Sequence, residues 1–328
     1  MRISIIGLGH IGLSVLDIIK SRNDDYRKNN NGISIVSASD SKLTLYNENG
    51  LDPGKIINYK KSKRLEEIDY EKIKFDEIFE IKPDVIVDVS PATKDGIRGK
   101  NLYINAFEHG IDIVTANKAP LALHWHDIMD SASKNRRIIR YEASVGGGVP
   151  LFNLRQFCTM SSRIINFTGL VSSTINYVLN QELSGVGFLD AVKIAQNMGI
   201  AETDYSDDTM GLDSARKTVI LANSLFNKDI TLRDVTYDGI ENIDISSMDN
   251  EKVYRVVAMI ENNGGFHAES KIRAFSRNDF LGMISPLSMA YSMETDINDN
   301  INIFENHDGP LQTAAQVVND VMLLKYKI

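Results

Sequence analysis

Residues 2–12 read R-I-S-I-I-G-L-G-H-I-G, and this stretch decides the fold. The apolar run at 2–6 predicts a short buried strand, and Gly7, Gly9 and Gly12 come directly after it. Apolar residues at helical spacing then continue to residue 19. The glycine spacing alone is weak evidence, but a strand, a glycine-rich turn and a helix in this order are typical of the fingerprint that binds dinucleotides.

Each glycine of this turn has its own predicted task. Gly7 permits the tight turn, Gly9 lets the backbone approach a pyrophosphate, and Gly12 allows close packing of helix on strand. The N-terminus of the helix, at His10 and Ile11, presents unpaired N–H groups to the phosphates. We therefore predict that these five residues bind NAD or NADP. The alternative is a glycine turn with a structural role only.

The second predicted strand indicates where the adenosine ribose binds. Residues 33–39 follow the polar segment 23–32, which is predicted to be a surface turn, and they end at Asp40. An acidic residue at this point usually accepts a hydrogen bond from the ribose. Lys42 lies two residues further and would instead suit a 2′-phosphate. The choice between NAD and NADP is therefore open at this point.

Strands and helices alternate through residue 141. Further strands are predicted at 84–89, 110–115 and 137–141, and the highly charged stretch 60–82 is predicted to be a solvated helix. This alternation predicts an α/β fold with a Rossmann-type doubly wound parallel sheet.

Four polar residues follow the ends of two of these strands. Ligands of such sheets bind beyond the carboxyl ends of the strands. This rule places Ser90, Thr93, Asn117 and Lys118 at the cofactor cleft. For Lys118, the alternative is an ordinary surface lysine beside a helix.

The pattern changes after the triple glycine at 146–148. The predicted elements there are a strand at 166–172, helices at 173–182, at 188–197 and from 211, and antiparallel strands at 253–260 and 268–275. We predict a second, α+β domain over 142–302 that binds the substrate. The first domain then covers 1–141 and is completed by a C-terminal helix within about 303–328.

Composition excludes several classes of protein. The chain has 328 residues, 43% of them hydrophobic, and can therefore bury a large core in two domains. A formal net charge of −8, without a basic run among aromatic residues, argues against nucleic-acid binding. No run of about 18 apolar residues is present to cross a membrane. The single cysteine, Cys158, excludes a disulfide framework and is expected to be buried. From these features together we expect a soluble cytoplasmic enzyme.

An acidic stretch lies in the second predicted domain. Residues 199–217 read G-I-A-E-T-D-Y-S-D-D-T-M-G-L-D-S-A-R-K, with five acidic residues in twelve positions before a lysine. Apolar residues recur at helical spacing after Gly211, so Asp213 and Lys217 lie one turn apart on the same face. Carboxylates around one lysine suit a small substrate that carries an ammonium group and exchanges a proton. The alternative is a solvated acidic loop with an ordinary ion pair.

With these residues in view, the chain resembles homoserine dehydrogenases over nearly its whole length. The matching blocks occur in order: G-L-G-H-I-G at 7–12, T-A-N-K at 115–118, Y-E-A-S-V-G-G-G-V-P at 141–150, G-L-V-S-S-T-I-N-Y-V-L at 169–179 and A-E-T-D-Y-S-D-D-T-M-G-L-D-S-A-R-K at 201–217. The last block is the family's most specific signature. The resemblance implies NAD(P)-dependent interconversion of L-homoserine and L-aspartate 4-semialdehyde, on the pathway to threonine, methionine and isoleucine.

The resemblance also implies roles for particular residues. Lys217 looks like the proton donor and acceptor, and Lys118 resembles the lysine near the nicotinamide and the substrate. Glu202 and Asp213 look like homoserine ligands, and we predict that Asp208 of the same acidic stretch joins them.

A cation site and a homodimer are implied as well. The segment with Glu142, Val145, Gly147 and Val149 resembles a site for a monovalent cation such as sodium, built mostly from backbone carbonyls. The homodimer is expected to form through strands of the second domain, which is therefore also the dimerisation domain.

Two other functions fit the dinucleotide fingerprint. One is an NAD(P)-linked oxidoreductase that acts on another amino acid or semialdehyde. The other is a non-catalytic dinucleotide-binding sensor, although a sensor has no need of the proton-transfer lysine Lys217.

Overall fold

The computed structural model describes residues 1–29, 32–201, 204–241 and 243–325. The chain divides into two compact units. The first unit is Met1–Gly148 together with Gly309–Ile328, and the second unit is Val149–Asp308. The sequence-based boundaries at 141/142 and 302/303 thus differ from these by six or seven residues.

The strands and helices alternate in the first part of the chain and are mixed in the second. In chain order they are β1 (Arg2–Ile6), α1 (His10–Lys28), β2 (Ser34–Ser39), β3 (Thr44–Tyr46), α2 (Pro53–Lys61), β4 (Glu71–Ile73), β5 (Val85–Asp88), α3 (Ile97–Glu108), β6 (Asp112–Thr115), α4 (Lys118–Lys134), β7 (Ile139–Arg140), α5 (Leu151–Asn153), β8 (Ile164–Leu170), α6 (Ser173–Leu183), α7 (Phe188–Asn197), α8 (Ser206–Thr209), α9 (Leu212–Phe226), β9 (Thr236–Tyr237), β10 (Val253–Glu261), β11 (His267–Phe275), α10 (Phe280–Met283), β12 (Met289–Thr295), β13 (Asp299–Glu305) and α11 (Pro310–Leu324).

The first unit is built on a seven-stranded sheet in the order β4-β3-β2-β1-β5-β6-β7. The five strands from β2 to β7 in this order are parallel, and β3 and β4 add an antiparallel edge. Every residue of β5 is buried, as expected for a strand that helices cover on both faces. The predicted Rossmann-type α/β fold is therefore confirmed.

Two apolar clusters fill the two faces of this sheet. On one face, Ile3 and Val87 pack in a cluster that includes Val317 of α11. On the other face, Ile86 clusters with Tyr103 of α3. The last helix of the chain is therefore part of the first unit's core.

Three local predictions are wrong. The stretch 60–82 is not one helix, because α2 ends at Lys61 and short turns lead into β4. Most of the predicted turn 23–32 is helical, since α1 continues to Lys28. Cys158 is exposed, because it lies in a short π-helical turn, Leu154–Cys158, that contributes no residue to the buried core.

The second unit contains a six-stranded sheet in the order β13-β12-β8-β10-β11-β9. Its strands are antiparallel except for the short pair of β9 and β11. Ile175 of α6, Val192 of α7 and Val256 of β10 share one buried cluster. The predicted helices α6, α7 and α9 and the antiparallel pair β10–β11 are confirmed. Among the helices of the described residues, none is both long and apolar enough to cross a membrane.

Candidate active site

In the glycine turn after β1 there is space for a side chain or a ligand at Gly9, but not at Gly7 or Gly12. Gly7 has φ +105°, and a Cβ there would lie 2.6 Å from the carbonyl of Val89. A Cβ on Gly12 would lie 1.9 Å from the Gly7 oxygen. A Cβ on Gly9 meets no atom within 4 Å. The turn thus fits a group that approaches the backbone at Gly9.

Helix α1 opens with backbone donors for that group. Gly9 is its N-cap and supplies no side-chain hydrogen bond, and its first turn, from His10 and Ile11, contains no acidic residue. The first N–H groups of a helix have no partner within the helix and carry a partial positive charge. A pyrophosphate is the kind of anion that such an end binds.

Asp40 is held by three donors. Its Oδ1 accepts from the backbone N–H groups of Lys42 at 2.8 Å and Leu43 at 3.1 Å, and its Oδ2 lies 2.5 Å from Lys60 Nζ. Burial opposes ionisation of Asp40, but the hydrogen bonds from Lys60 and the backbone outweigh it and lower its pKa. The sequence reasoning missed Lys60, because nothing local in α2 indicates its contact with Asp40.

A cavity of about 240 Å³ lies at the carboxyl ends of β1, β5 and β6, and Ser90, Thr93 and Asn117 are among the residues that line it. Asn117 Oδ1 is buried and accepts no hydrogen bond from the described residues. An unpaired buried acceptor is costly, so it fits a site that a ligand completes. Lys118 is the first residue of α4 and is half-buried. The helix dipole disfavours a lysine at this positive end of a helix.

Lys217 is buried in the second unit on α9. Its Nζ lies 3.1 Å from Asp213 Oδ2 and donates to the Val171 carbonyl at 2.5 Å. The two side chains are only 11% and 10% exposed, so this is not a solvated surface pair. These contacts use two of the three ammonium hydrogens, and no other acceptor among the described residues takes the third.

Only part of the acidic stretch before α9 lies within the described residues. Glu202 lies outside the described residues. Asp208 is part of the short helix α8 and is half-buried, while Asp207 is paired with Arg216 at 2.7 Å. Gly211, with φ +81°, joins α8 to α9. The structure thus brings Asp213 and Lys217 together.

The turn after β7 is held by α11. The Glu142 N–H donates to Asp320 Oδ2 at 2.9 Å, and the side chain of Gln316 donates to the Gly148 carbonyl. Burial lowers the pKa of Arg140, and the carboxylates of Asp320 and Glu142 oppose that shift. Val145 is buried within the same turn, and Gly147 has φ +59°. Val149 is buried and its carbonyl accepts from Leu151 N at 2.9 Å.

A Rossmann-type unit with an open glycine turn, and a second unit with a buried lysine–carboxylate pair, define a nicotinamide-dependent oxidoreductase. Family models agree with this class. The model "Homoserine dehydrogenase, NAD binding domain" matches residues 7–142, and the model "Homoserine dehydrogenase" matches residues 150–322. The chain belongs to the homoserine dehydrogenase family, and the resemblance seen in the sequence is confirmed.

Full-length relatives support the same family. Homoserine dehydrogenase of Methanocaldococcus jannaschii is 32% identical, with 98% of each chain covered. The NAD(+)-dependent homoserine dehydrogenase of Pseudomonas canavaninivorans is 28% identical, with 98% of this chain and 95% of that protein covered. The crystal structure of homoserine dehydrogenase from Thermoplasma acidophilum is 40% identical, covers 99% of each chain and has a TM-score of 0.89. The chain is thus an NAD(P)-dependent oxidoreductase.

Proposed function

We propose that Lys217 moves the proton when this enzyme interconverts L-homoserine and L-aspartate 4-semialdehyde. The observation that supports this most is the burial of Lys217 with two hydrogen bonds that orient its ammonium group. When bound, NAD or NADP supplies or accepts the hydride. In aldehyde reduction, the carbonyl oxygen gains negative charge and takes a proton from Lys217 Nζ. In the reverse direction, the neutral amine accepts the hydroxyl proton.

The acidic residues of the same unit are proposed to hold the substrate. The ammonium group of homoserine suits the carboxylates of Asp208 and Asp213, and Glu202 is assigned to it by resemblance alone. Asp213 also fixes the Lys217 side chain at 3.1 Å, so one carboxylate would orient both the substrate and the proton donor.

The first unit is proposed to bind the cofactor. The pyrophosphate is assigned to the glycine turn and the start of α1, at Gly7, Gly9, His10, Ile11 and Gly12. Asp40 is assigned to the adenosine ribose. The loops with Ser90, Thr93 and Lys118 are assigned to the rest of the cofactor. The open space at Gly9 supports this assignment. Lys118 is assigned to the nicotinamide end of the cofactor by resemblance alone.

Lys217 can be tested with two substitutions. Lys217→Ala should lower kcat by about 10²–10⁴-fold, with cofactor binding retained. Lys217→Arg should not restore kcat, because a guanidinium stays protonated at any working pH. The rate of homoserine-dependent reduction of NAD⁺ and of NADP⁺ is measured side by side.

Lys193 provides the matched control. It forms an exposed ion pair with Asp190 on α7, so Lys193→Ala should keep the wild-type rate. Near-wild-type kcat in Lys217→Arg would contradict the proton-transfer role. A folded wild-type protein that binds NADH without oxidising homoserine would instead favour a non-catalytic sensor, and oxidation of another amino alcohol would favour a different oxidoreductase.

We also propose that a monovalent cation such as sodium binds the turn with Glu142, Val145, Gly147 and Val149. Glu142 and Asp320 are each 1% exposed, so two carboxyl groups are buried at this turn. A monovalent cation held by backbone carbonyls of the turn would interact favourably with carboxylates at this depth. Replacing NaCl by choline chloride at equal ionic strength should lower the thermal stability of wild type more than that of Glu142→Gln. Equal loss in both proteins would contradict the site.

A homodimer through the second unit is the proposed assembly. Phe304 of β13 is 49% exposed and packs edge-on against Phe280 of α10, whose neighbour Met283 is 64% exposed. Exposed apolar groups of this kind are typical of interfaces. Phe304→Glu should convert the dimer to a monomer in light scattering after gel filtration, whereas Met160→Glu, at another exposed methionine, should not.

The proposed location is the cytoplasm, where NAD(P) is available to a biosynthetic dehydrogenase. Cell fractionation with an antibody against the chain would test this location directly, and recovery in a membrane or secreted fraction would contradict it.

A further inference from the structure

Asp88 ends β5 with a fully buried carboxylate that is hydrogen-bonded on both oxygens. Its Oδ1 accepts from Ser90 N at 3.1 Å and from Ser90 Oγ at 2.6 Å. Its Oδ2 accepts from Tyr103 OH at 2.6 Å and, in a longer contact of 3.5 Å, from Asn117 Nδ2. One carboxylate thus joins the loop after β5, the loop after β6 and helix α3.

A carboxylate is an unexpected group at this position. The three residues before it, Val85, Ile86 and Val87, are the apolar side chains that a covered parallel strand normally has. Burial of a charge is unfavourable unless hydrogen bonds satisfy it. The donors from Ser90 and Tyr103 provide most of this compensation, and the Asn117 amide adds the longer contact from the loop after β6.

Tyr103 and Thr115 complete the network on the side of β6. The Tyr103 hydroxyl lies 2.7 Å from Thr115 Oγ1, which accepts from the backbone N–H of Asn117 at 2.9 Å. Burial, with the Asp88 carboxylate beside it, raises the pKa of the Tyr103 phenol well above its ordinary value. The phenol therefore remains a hydrogen-bond donor at any working pH.

This network decides which way the Asn117 amide faces. An ionised carboxylate only accepts hydrogen bonds, so the NH₂ end of Asn117 must face Asp88. The Oδ1 end is then turned away from Asp88, where it is buried without a donor from the described residues. Asn117 and Asp88 both line the cavity of about 240 Å³ at the ends of β1, β5 and β6.

We propose that Asp88 is a positioning residue for the nicotinamide cofactor, because it fixes Ser90 and turns the Asn117 carbonyl oxygen toward a hydrogen-bond donor of the bound dinucleotide. The donor is a ribose hydroxyl or the carboxamide NH₂ group. This inference depends on the proposed cofactor site in the first unit. Asp88 itself acts through its neighbours.

Asp88→Asn tests the proposal with little change in shape. The new NH₂ group would face Asn117 as donor against donor and turn its amide over, or it would face the Ser90 N–H and release the loop after β5. The Kd for NADH and for NADPH, measured by titration of the reduced nicotinamide fluorescence, should rise at least about tenfold. At saturating cofactor, KM for homoserine should stay within about twofold of wild type, because the second unit is unchanged.

The exchange variant Asp88→Asn/Asn117→Asp distinguishes an effect on the orientation of the side chain at position 117 from an effect on packing around position 88. It restores a donor–acceptor pair between positions 88 and 117 with reversed polarity, and it keeps an acceptor oxygen at position 117. Cofactor binding should recover at least about threefold relative to Asp88→Asn alone. Without recovery, the loss in Asp88→Asn would come from packing, and the proposal would be overturned.

Asp84→Asn is the matched control at the other end of the same strand. Asp84 accepts from the Arg2 N–H at 2.7 Å, so its loss should lower the melting temperature without changing the Kd for NADH. An equal rise of Kd in Asp84→Asn, or a wild-type Kd in Asp88→Asn, would overturn the positioning role. Failure of the cofactor site itself would be seen separately, as unchanged NADH binding in a folded Gly9→Val variant.

Discussion

Gly9 and Gly12 lie in the same turn, but a side chain would have different consequences at the two positions. A Cβ at Gly9 meets no atom within 4 Å, while a Cβ at Gly12 would lie 1.9 Å from the Gly7 oxygen. Gly9→Val should therefore fold and bind NADH at least about tenfold more weakly, because the new side chain occupies the space for the pyrophosphate. Gly12→Val should fail in folding itself. Circular dichroism and NADH titration of both variants separate the two effects.

Asp40 and Lys60 are expected to decide cofactor choice together. The Lys60 ammonium balances the Asp40 carboxylate, which would otherwise repel a 2′-phosphate. Lys60→Met should lower kcat/KM for NADP⁺ at least about tenfold more than for NAD⁺. Asp40→Asn should do the reverse, since the ribose hydroxyl loses a charged acceptor.

Lys42→Ala is the comparison for this pair, because the Lys42 side chain is exposed and only its backbone N–H contacts Asp40. We expect little change in either kcat/KM. A lower kcat/KM for NADP⁺ alone in Lys42→Ala, without such a loss in Lys60→Met, would indicate that Lys42 contacts the 2′-phosphate instead.

At the scale of residues, local patterns predicted the glycine turn after β1. The spacing of Gly7, Gly9 and Gly12 was sufficient because adjacent backbone alone forms that turn, whereas its role in cofactor binding stays a prediction. Asp88 and Lys60 were missed, since their contacts join loops and helices that are distant in sequence. A carboxylate that ends a strand of only apolar residues was the one signal for Asp88.

Helix α9 starts at a glycine that no other residue can replace without strain. Gly211 has φ +81°, and a Cβ there would lie 2.3 Å from the Asp238 carbonyl oxygen. Gly211→Ala should lower the free energy of unfolding by more than the roughly 1–2 kcal/mol of a left-handed residue, because the contact adds to it. It should also lower kcat, since Asp213 and Lys217 lie in the first two turns of α9.

Gly264 is the control for this substitution. It has φ +77° in the loop between β10 and β11, but a Cβ there meets no atom within 4 Å. Gly264→Ala should therefore lower the free energy of unfolding only by the cost of the left-handed backbone conformation, and it should leave kcat unchanged. Urea unfolding of the two variants gives the difference, and equal stability losses would contradict the role of the Asp238 contact.

At the scale of elements, long periodic segments were predicted well and short ones were not. The helices α6, α7 and α9 each extend over ten or more residues, enough for the apolar spacing to show. The short strands β3 and β4 have three residues each, and their pairing with β2 and with each other decides their form. The charges in 60–82 suggested a helix, whereas Leu65, Ile68 and Ile78 are buried in short turns on either side of β4.

For the whole molecule, α11 is expected to carry much of the stability of the first unit. Val317 is fully buried in the cluster that also contains Ile3 and Val87, whereas Leu311 is 55% exposed. Val317→Ala should lower the free energy of unfolding by about 2 kcal/mol, the cost of lost burial and a cavity. Leu311→Ala should change it by less than about 0.5 kcal/mol. Urea denaturation followed by NADH binding measures both variants, and similar values would contradict this role of α11.

The alternation of strands and helices predicted the architecture of the first unit, because parallel strands need a covering crossover between them. The domain boundaries were less accurate. Strand β13 ends at Glu305 in the second sheet, so the return to the first unit begins later than a periodicity argument indicated. Which sheet an edge strand joins is decided by pairing at long range, which a single sequence does not reveal.

The order in which the chain is synthesised affects when each of its two units can fold. Residues 149–308 of the second unit are contiguous, whereas the first unit lacks α11 until translation has passed residue 324. A nascent chain can thus complete its second unit first, while Ile3 and Val87 are not yet covered by α11. Competence to bind NAD(P) is then expected only after α11 is made, and chaperones that protect apolar surface would act on the uncovered strands β1 and β5 until that point.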